Sequence, residues 1–393
     1  MNERILISGA SIAGLTLAHW LARHGLRPTV VERAATLRTG GNGVDIRGQA
    51  GEVAARTGIM PRVRESLADV RGIKFVDAAD RAVARIDMRA LEPDPVEIMR
   101  GDLVALLHGV TDAEFMFGDS IRGLQQDEDG VSVTFEKSPA LRFDLVVGAD
   151  GMHSNVRRLA FGPEAEFVRH KDHYFAFANA DAALGEDRWV TMFNTPGRMA
   201  GIYRSGNHRQ AKAYFAFRSA PLHYDHRDPA VQKRLLSDAF GQQTSWRTGE
   251  LLDGALADPD FYFDACAQVQ MNSWSTGRVV LVGDAAWCPS PVSGAGAELA
   301  LVGAYRLAGE LAAAGGRHRT AFANYDAALR PLVVAKQQIG PNLRLMVPKS
   351  AGGRRARNAL AHLPLWQAAG AVDRYVQRRN ASPLPEYEHA PAR

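Results

Sequence analysis

The 393-residue chain has only two cysteines, Cys266 and Cys288, too few for the disulfide framework of a secreted domain, so a reducing cytoplasm is expected. It has no uninterrupted run of about 18 apolar residues, and no segment is expected to span or anchor in a membrane. The apolar stretch from Ile5 to Leu21 has the hydropathy of a signal-peptide core, but Gly9 and Gly14 interrupt it and no small-residue cleavage site follows. Charge of one sign is also missing: 47 Lys plus Arg stand against 43 Asp plus Glu, a formal +4. Eight basic residues and a single acid, Asp373, lie between Arg344 and Arg379, which leaves the remainder of the chain mildly acidic. Arg354, Arg355 and Arg357 have no aromatic residues interleaved among them, which favours a solvated face over a nucleic-acid surface. With 46% hydrophobic and 23% charged residues, disordered, collagen-like and heptad-repeat classes are excluded, while 37 glycines and 19 prolines suit an α/β chain with many tight turns.

The first 50 residues are the most legible. Ile5-Leu6-Ile7 suits a strand buried on both faces, and it ends in Gly9-Ala10-Ser11-Ile12-Ala13-Gly14 before an apolar helical segment through Arg23. A second strand from Pro28 to Val31 stops at Glu32-Arg33. This is the layout of a dinucleotide-binding βαβ unit. Gly9 permits the tight turn, the small Ser11 lets backbone approach a pyrophosphate, and Gly14 lets the helix pack closely. The helix N-terminus offers free N–H groups and a positive dipole end to phosphates. Glu32, 18 residues after Gly14, stands where a carboxylate accepts from a ribose 2′-OH, which favours FAD or NAD over a 2′-phosphate. Ser11 replaces the second glycine of the fingerprint.

Two more βα junctions follow. Leu145-Val146-Val147 opens Gly148-Ala149-Asp150-Gly151-Met152-His153-Ser154-Asn155-Val156-Arg157, and Arg278 to Val282 opens Gly283-Asp284-Ala285-Ala286. Pro289 and Pro291 delay the next helix, so its start near Gly294 and Gly296 is aimed back toward the strand end and its dipole favours negative charge on a ring lying there. Between the junctions, Gly72 to Met88 reads as a hairpin turning at Asp80, and residues 166–265 alternate aromatic and polar residues, as in Tyr174-Phe175-Ala176-Phe177 and Ala213-Tyr214-Phe215-Ala216-Phe217. Period-2 alternation predicts an antiparallel sheet with one packed face. The expected fold is α/β: a Rossmann-like, discontinuous nucleotide domain (1–71, 95–165 and 270–335) with an inserted antiparallel-sheet substrate domain (72–94 and 166–269). A C-terminal helical segment (336–380), broken near Pro364, and a frayed tail (381–393) complete it.

Together and in this order, the three junctions resemble the class A FAD-dependent monooxygenases, the aromatic-hydroxylase fold, and in particular the branch containing tetracycline-degrading monooxygenases. The resemblance spans essentially the whole chain. It implies an FAD-binding domain and NADPH or NADH as electron donor, with Asp150, Gly151 and Arg157 associated with both nucleotides and Asp284 with the ribityl and pyrophosphate portion of FAD. It further implies FAD contacts at Asp45 and Arg100, a nicotinamide-nucleotide contact at Arg38, and substrate contacts at Pro291, Val292 and Met346. Three departures stand out: Trp287 where the family often has His, Ala295 where it often has Gln, and Glu298 in place of a frequent Asn.

The implied chemistry belongs to the cofactor. A flavin C4a-hydroperoxide delivers one oxygen atom from O2 to an aromatic, phenolic or polycyclic small molecule, so no protein nucleophile is demanded. The helix start at Gly294, Gly296 and Ala297 would stabilise the reduced, anionic ring through backbone N–H groups. His153, His173 and His226 are weighed as acid/base groups but read as surface or hydrogen-bonded structural residues, and Cys288 as a small buried filler. Phe175, Phe177, Tyr203, Phe215 and Phe217 are candidates for a flat cavity wall, with the faces unassigned. Within the same fold a flavin-dependent reductase or dehydrogenase is the alternative; from another class, a non-catalytic flavin- or ligand-binding protein. A flavin halogenase is disfavoured because no two of the six tryptophans lie two apart. A monomer is expected.

Overall fold

The computed structural model describes residues 3–38, 40–91, 95–338, 342–361 and 383–387. Its first layer is a six-stranded sheet in the order Ser275–Thr276, Val279–Leu281, Leu145–Gly148, Arg4–Ser8, Arg27–Glu32, Glu114–Phe117. All pairings are parallel except the one between the first two strands. Parallel strands with helices on their faces must be apolar on both sides, and Ile5, Leu6, Ile7, Val146, Val147, Val279 and Val280 are all fully buried. Each such side chain contributes roughly 2 kcal/mol of hydrophobic stabilisation. The helices Ile12–Arg23 and Gly296–Ala313 pack on one another beside this sheet, with the Trp20 and Tyr305 rings edge to face at 4.8 Å. A three-stranded sheet, Ile121–Gln126, Val131–Phe135 and Leu141–Phe143, flanks it, and Gly43–Asp45 pairs with Glu97–Met99 in a two-stranded ribbon.

The second layer is a seven-stranded sheet ordered Tyr262–Val269, Val168–Ala180, Ala211–Arg218, Arg198–Tyr203, Trp189–Thr195, Gly72–Val76, Ala82–Asp87. The hairpin predicted around Asp80 is present, and Asp80 takes the left-handed conformation at φ 61. It joins the sheet by a parallel pairing of Gly72–Val76 with Trp189–Thr195, so the sheet is antiparallel save for one contact. The direction of that strand is set by where the chain leaves the nucleotide domain, which local alternation does not record. Both faces of this sheet are packed, where one was expected. The back face is small-residue rich (Ala176, Ala178, Ala200, Ala211, Ala213), which lets the helices Pro229–Phe240 and Thr248–Ala257 lie close, with Phe215 and Phe217 against Phe240. The front face turns toward the nucleotide domain.

The C-terminal part departs from expectation. Among the described residues the segment holds two helices, Asn342–Met346 and Ala351–Ala361, separated at Pro348, where one continuous helix was expected; Pro364 lies outside the described residues. The tail is tied down over 383–387. Leu384 is 3% exposed, Arg56 and Tyr305 both donate to the Pro385 carbonyl, and the Tyr387 hydroxyl donates to Glu310 at 2.9 Å. Arg357, expected on a solvated face, is buried: its guanidinium lies 3.7 Å from the Phe75 ring centroid and donates to Asn194 Oδ1 and the Leu345 carbonyl. Arg354 donates to the Asn194 carbonyl at 2.8 Å. These two arginines staple the last helix to the substrate sheet, and only Arg355 of the three stays exposed. Removing the Arg357 guanidinium leaves buried acceptors unpaired, so Arg357→Ala is expected to lower stability by about 2 kcal/mol, read as a shift of the urea midpoint.

Candidate active site

The site begins at the first glycine turn. Gly9 has φ 108, and a Cβ there would stand 2.5 Å from the Ala149 carbonyl oxygen; a Cβ on Gly14 would stand 1.9 Å from the Gly9 oxygen. Glycine is therefore required at both places, by backbone geometry and by close approach. The helix Ile12–Arg23 starts at Ser11 with no side-chain cap and no acid in its first turn, which leaves donors and a positive dipole end for an anion. The Glu32 carboxylate accepts from the Ala10 and Ala34 backbone N–H groups, both at 2.9 Å, so it holds the turn while its remaining lone pairs stay available to a ribose. Arg33, next to it, is exposed. Arg100 closes this corner. Its backbone N–H donates to the Asn42 carbonyl, and its guanidinium donates to the Gly40 carbonyl at 2.6 Å and to Ser11 Oγ at 3.3 Å. Burial, with the Arg38 charge nearby, lowers the Arg100 pKa. Arg38 itself is exposed and its charge also reaches Tyr262.

The other two junctions meet the first. Asp150 accepts from Ser154 Oγ at 2.5 Å and from the Asn155 and Val156 N–H groups, so its carboxylate caps the helix Asn155–Ala160. Its main work is thus to shape the junction against which Gly9 packs. Arg157 is 0% exposed and donates to the carbonyls of Met152 and Ala285, tying the second junction to the third. Gly283, at φ 67, packs against Ala13, where a Cβ would come within 2.8 Å. Asp284 follows with its side chain open. Burial by the walls around it, opposed by a hydrogen bond with Cys288 and reinforced by the Asp264 charge, pushes Asp284 to about 6. Asp284 is thus accessible yet closely surrounded by protein, as at the floor of a cleft. Cys288 is a buried filler, as expected.

A second corner forms around the helix Gly296–Ala313. Gly294 is left-handed at φ 65, and a Cβ on it would lie 3.8 Å from Asp45 Oδ2. The helix has no side-chain cap, and Glu298 in its first turn is neutralised by Lys336 at 2.6 Å. Ala297 is buried. A Cβ on Gly296 would meet no atom within 4 Å, so the chain's own packing does not demand glycine there. A flat anionic ring at this helix start would use both features, and with the phosphate-ready turn the residues fit FAD. Asp45 pairs with Arg47 at 3.3 Å, and across the ribbon it stands opposite Glu97. Burial and the Asp45 charge push Glu97 to about 7, although it accepts a hydrogen bond from the Tyr203 hydroxyl at 2.9 Å.

The front face of the seven-stranded sheet supplies the opposite wall. Phe175, Phe177, Tyr203 and Tyr214 share it, with Phe177 and Tyr214 edge to face at 4.7 Å and Tyr203 and Tyr214 stacked at 5.8 Å. Val292 and Met346 pack into the same cluster, while Pro291 is exposed on the loop beside it. Phe215 and Phe217, candidates for this wall, belong to the back face instead. Tyr262 keeps 43% of its surface open while burial raises its phenol well above the ordinary value. It stacks on Phe177 at 6.3 Å and belongs to the cleft wall. Sequence reasoning passed over Glu97, Tyr214 and Tyr262. Strand parity alone would have put Tyr214 beside Phe177 had their cross-strand pairing been known.

Residues 3–336 match the FAD binding domain family. The chain belongs to that family. A flavin-dependent monooxygenase of Legionella longbeachae is 38% identical over 343 residues, covering 86% of this chain and 88% of that one. Two crystal structures cover 98% of the chain: tetracycline destructase Tet(51), with TM-score 0.83, 33% identity and 100% of its own chain matched, and tetracycline destructase Tet(55), with 0.79, 36% and 99%. The protein is a class A FAD-dependent monooxygenase.

Two tests follow from this geometry. Gly296→Ala is expected to keep or slightly raise Tm, because the added methyl meets no protein atom, while weakening FAD about tenfold in a fluorescence titration. Glu97 holds in the folded protein a proton that the unfolded chain releases from its ordinary 4.5 upward. Its destabilising effect is therefore absent below about pH 4.5 and complete above about pH 7. Glu97→Gln should flatten the fall in urea midpoint across that window, and an unchanged slope would refute the assignment.

Proposed function

We propose that this monooxygenase takes its electrons from NADPH or NADH and inserts one atom of O2 into an aromatic, phenolic or polycyclic small molecule. The observation that carries the substrate class is the wall of the cleft. Phe175, Phe177, Tyr203 and Tyr214 form an aromatic face of tilted and edge-to-face rings toward the nucleotide domain, with Val292 and Met346 packed against it and the Tyr203–Glu97 hydrogen bond at its rim. Such a wall suits a rigid ring system and excludes water around it. The solved neighbours named tetracycline destructases support the same reading, since tetracycline is a fused-ring phenol.

FAD, when bound, supplies the redox chemistry and the activation of dioxygen. The chain's contribution is to bind and orient. The turn from Gly9 through Ser11 to Gly14 would hold the pyrophosphate, Glu32 a ribose hydroxyl, and Asp284 the ribityl chain. Arg100 keeps the loop 40–43 seated against the turn. Gly294, Gly296 and Ala297, with Asp45 and Arg47 nearby, would hold the ring, and the backbone N–H groups of the helix start would favour negative charge on it. Exposed Arg33 and Arg38 are assigned to the nicotinamide nucleotide's phosphates. Use of that nucleotide and the two unpaired cysteines support a cytoplasmic enzyme, which we take to act as a monomer.

The test is aerobic turnover of FAD-loaded protein with NADPH and a panel of phenols and polycyclic phenols in isotopically labelled O2. The expected product is heavier by one labelled oxygen atom, with faster flavin bleaching when the productive ligand is present. NADPH oxidation that yields only hydrogen peroxide with every ligand, at an undiminished rate, would replace this reading with a reductase.

A further inference from the structure

Four titratable side chains outside the binding roles assigned above form one line, buried in its middle and accessible at both ends. The Tyr262 hydroxyl, on the cleft wall, donates to Asp264 Oδ2 at 2.9 Å. Asp264 Oδ1 lies 3.0 Å from His153 Nε2. His153 Nδ1 lies 3.0 Å from both carboxylate oxygens of Glu164. Asp264 is buried, and the Glu164 side chain is 39% exposed to solvent. The four residues come from three places in the fold: the edge strand Tyr262–Val269 of the substrate sheet, the second βα junction, and the turn Glu164–Glu166. They make an unbroken line of hydrogen bonds from the interior cleft to the outer surface.

The surroundings keep this line charged and in place. Burial alone would lower the His153 pKa, but its hydrogen bonds to Asp264 and Glu164 raise it to about 9. It is an imidazolium at neutral pH. His226 stacks on it with ring centroids 4.1 Å apart and planes 10° from parallel, and burial plus the His153 charge lower the His226 pKa, so the stacked ring is neutral. Arg157 stands 3.6 Å from Glu164. Tyr224 packs alongside, its phenol raised by burial and by the Asp264 and Glu164 charges. Asp264 is further held by the Ala265 N–H at 2.7 Å. His153 is hydrogen-bonded, as expected, and its two ring nitrogens join two carboxylates from separate elements.

We propose that Tyr262, Asp264, His153 and Glu164 form a proton path that connects the cleft to solvent, with Tyr262 its inner end. Monooxygenation reduces one atom of O2 to water, so protons must reach a cleft whose walls exclude bulk water. Tyr262 gives its hydroxyl proton to a base formed in the cleft as it receives one from Asp264, which in turn takes the Nε2 proton of the imidazolium. Only O–H and N–H bonds break and form, and no electron moves. One solvent proton taken up by the neutral ring then restores the imidazolium between its two carboxylates. The path rests on monooxygenase chemistry and is independent of which organic substrate is oxidised.

Two measurements on the full chain test it. In histidine-labelled protein without FAD, NMR titration should show His153 protonated up to about pH 9, and Asp264→Asn and Glu164→Gln should each lower that midpoint by more than a unit. A wild-type midpoint near the ordinary 6.5 would overturn the path. In FAD-loaded protein reduced with dithionite and mixed with O2, proton uptake followed by an indicator dye should be about tenfold slower in His153→Gln, with FAD affinity unchanged and partial rescue by added imidazole. Tyr262→Phe, which cuts the path at its inner end and leaves the His153 contacts intact, should slow uptake equally, and it serves if His153→Gln fails to fold. Uptake at the wild-type rate in a folded variant would overturn the path, whereas absence of any O2 reaction in the wild type would overturn the flavoenzyme reading instead.

Discussion

The fold depends on one crowded junction, where the Gly9 turn meets the end of the neighbouring strand at Ala149 with no room for a side chain between them. Gly14 seats the helix on the same turn, Gly283 seats the third junction against Ala13, and Arg157 ties the second junction to the third through the Met152 and Ala285 carbonyls. Three separate stretches of chain thereby converge at one end of the parallel sheet. Strand ends in such a sheet are where a ligand finds free helix N-termini and unpaired backbone groups, and close packing leaves those groups little freedom to be misplaced. The anion-ready corner, the cleft and the walls around it all inherit their position from this contact.

The substrate sheet answers a different constraint. It is packed on both faces, and the division of labour between them follows side-chain size. Alanines on the back admit two helices at close range, while the front carries rings large enough to form a wall across the cleft. The last described helix and the loop at Val292 then close that wall, held by buried Arg357 against Phe75 and Asn194. Charge is managed at the same time. Asp45 and Glu97 face each other across a ribbon, Glu298 is matched by Lys336, and His153 is matched by two carboxylates. Unpaired charges at such depth would be costly, and Asp45, Glu97 and Asp284 are accordingly shifted toward their neutral forms.

The glycine turns, the strand-end acids and the order of the junctions were legible because they are local: a φ above zero or a missing Cβ must be written into a few consecutive residues. Gly9, Gly14, Glu32, Gly283 and Asp284 all stand where local rules put them. Asp150 was legible as a junction acid, yet its carboxylate caps a helix, because a strand-end acid looks the same in sequence whether its partner is a ligand or its own backbone. The faces of the aromatic strands were not legible. Phe215 differs from Phe175 only through the pairing that sets Phe175 opposite Ala216, and such register is a property of two distant segments. Arg357 looked like a solvated charge for the same reason, since nothing near it in sequence announces Phe75 or Asn194.

By itself, then, the amino-acid sequence determined the nucleotide-binding architecture, the class of cofactor and the turns that demand glycine, because these rest on residue types acting within a turn of chain. Only the tertiary structure decided which aromatic rings face the cleft, that the Tyr203 hydroxyl donates to Glu97 there, and that Tyr262, Asp264, His153 and Glu164 line up from cleft to surface. The links from Glu97 to Tyr203 and from His153 to Asp264 each join residues more than a hundred positions apart, across elements whose pairing and direction no local pattern encodes.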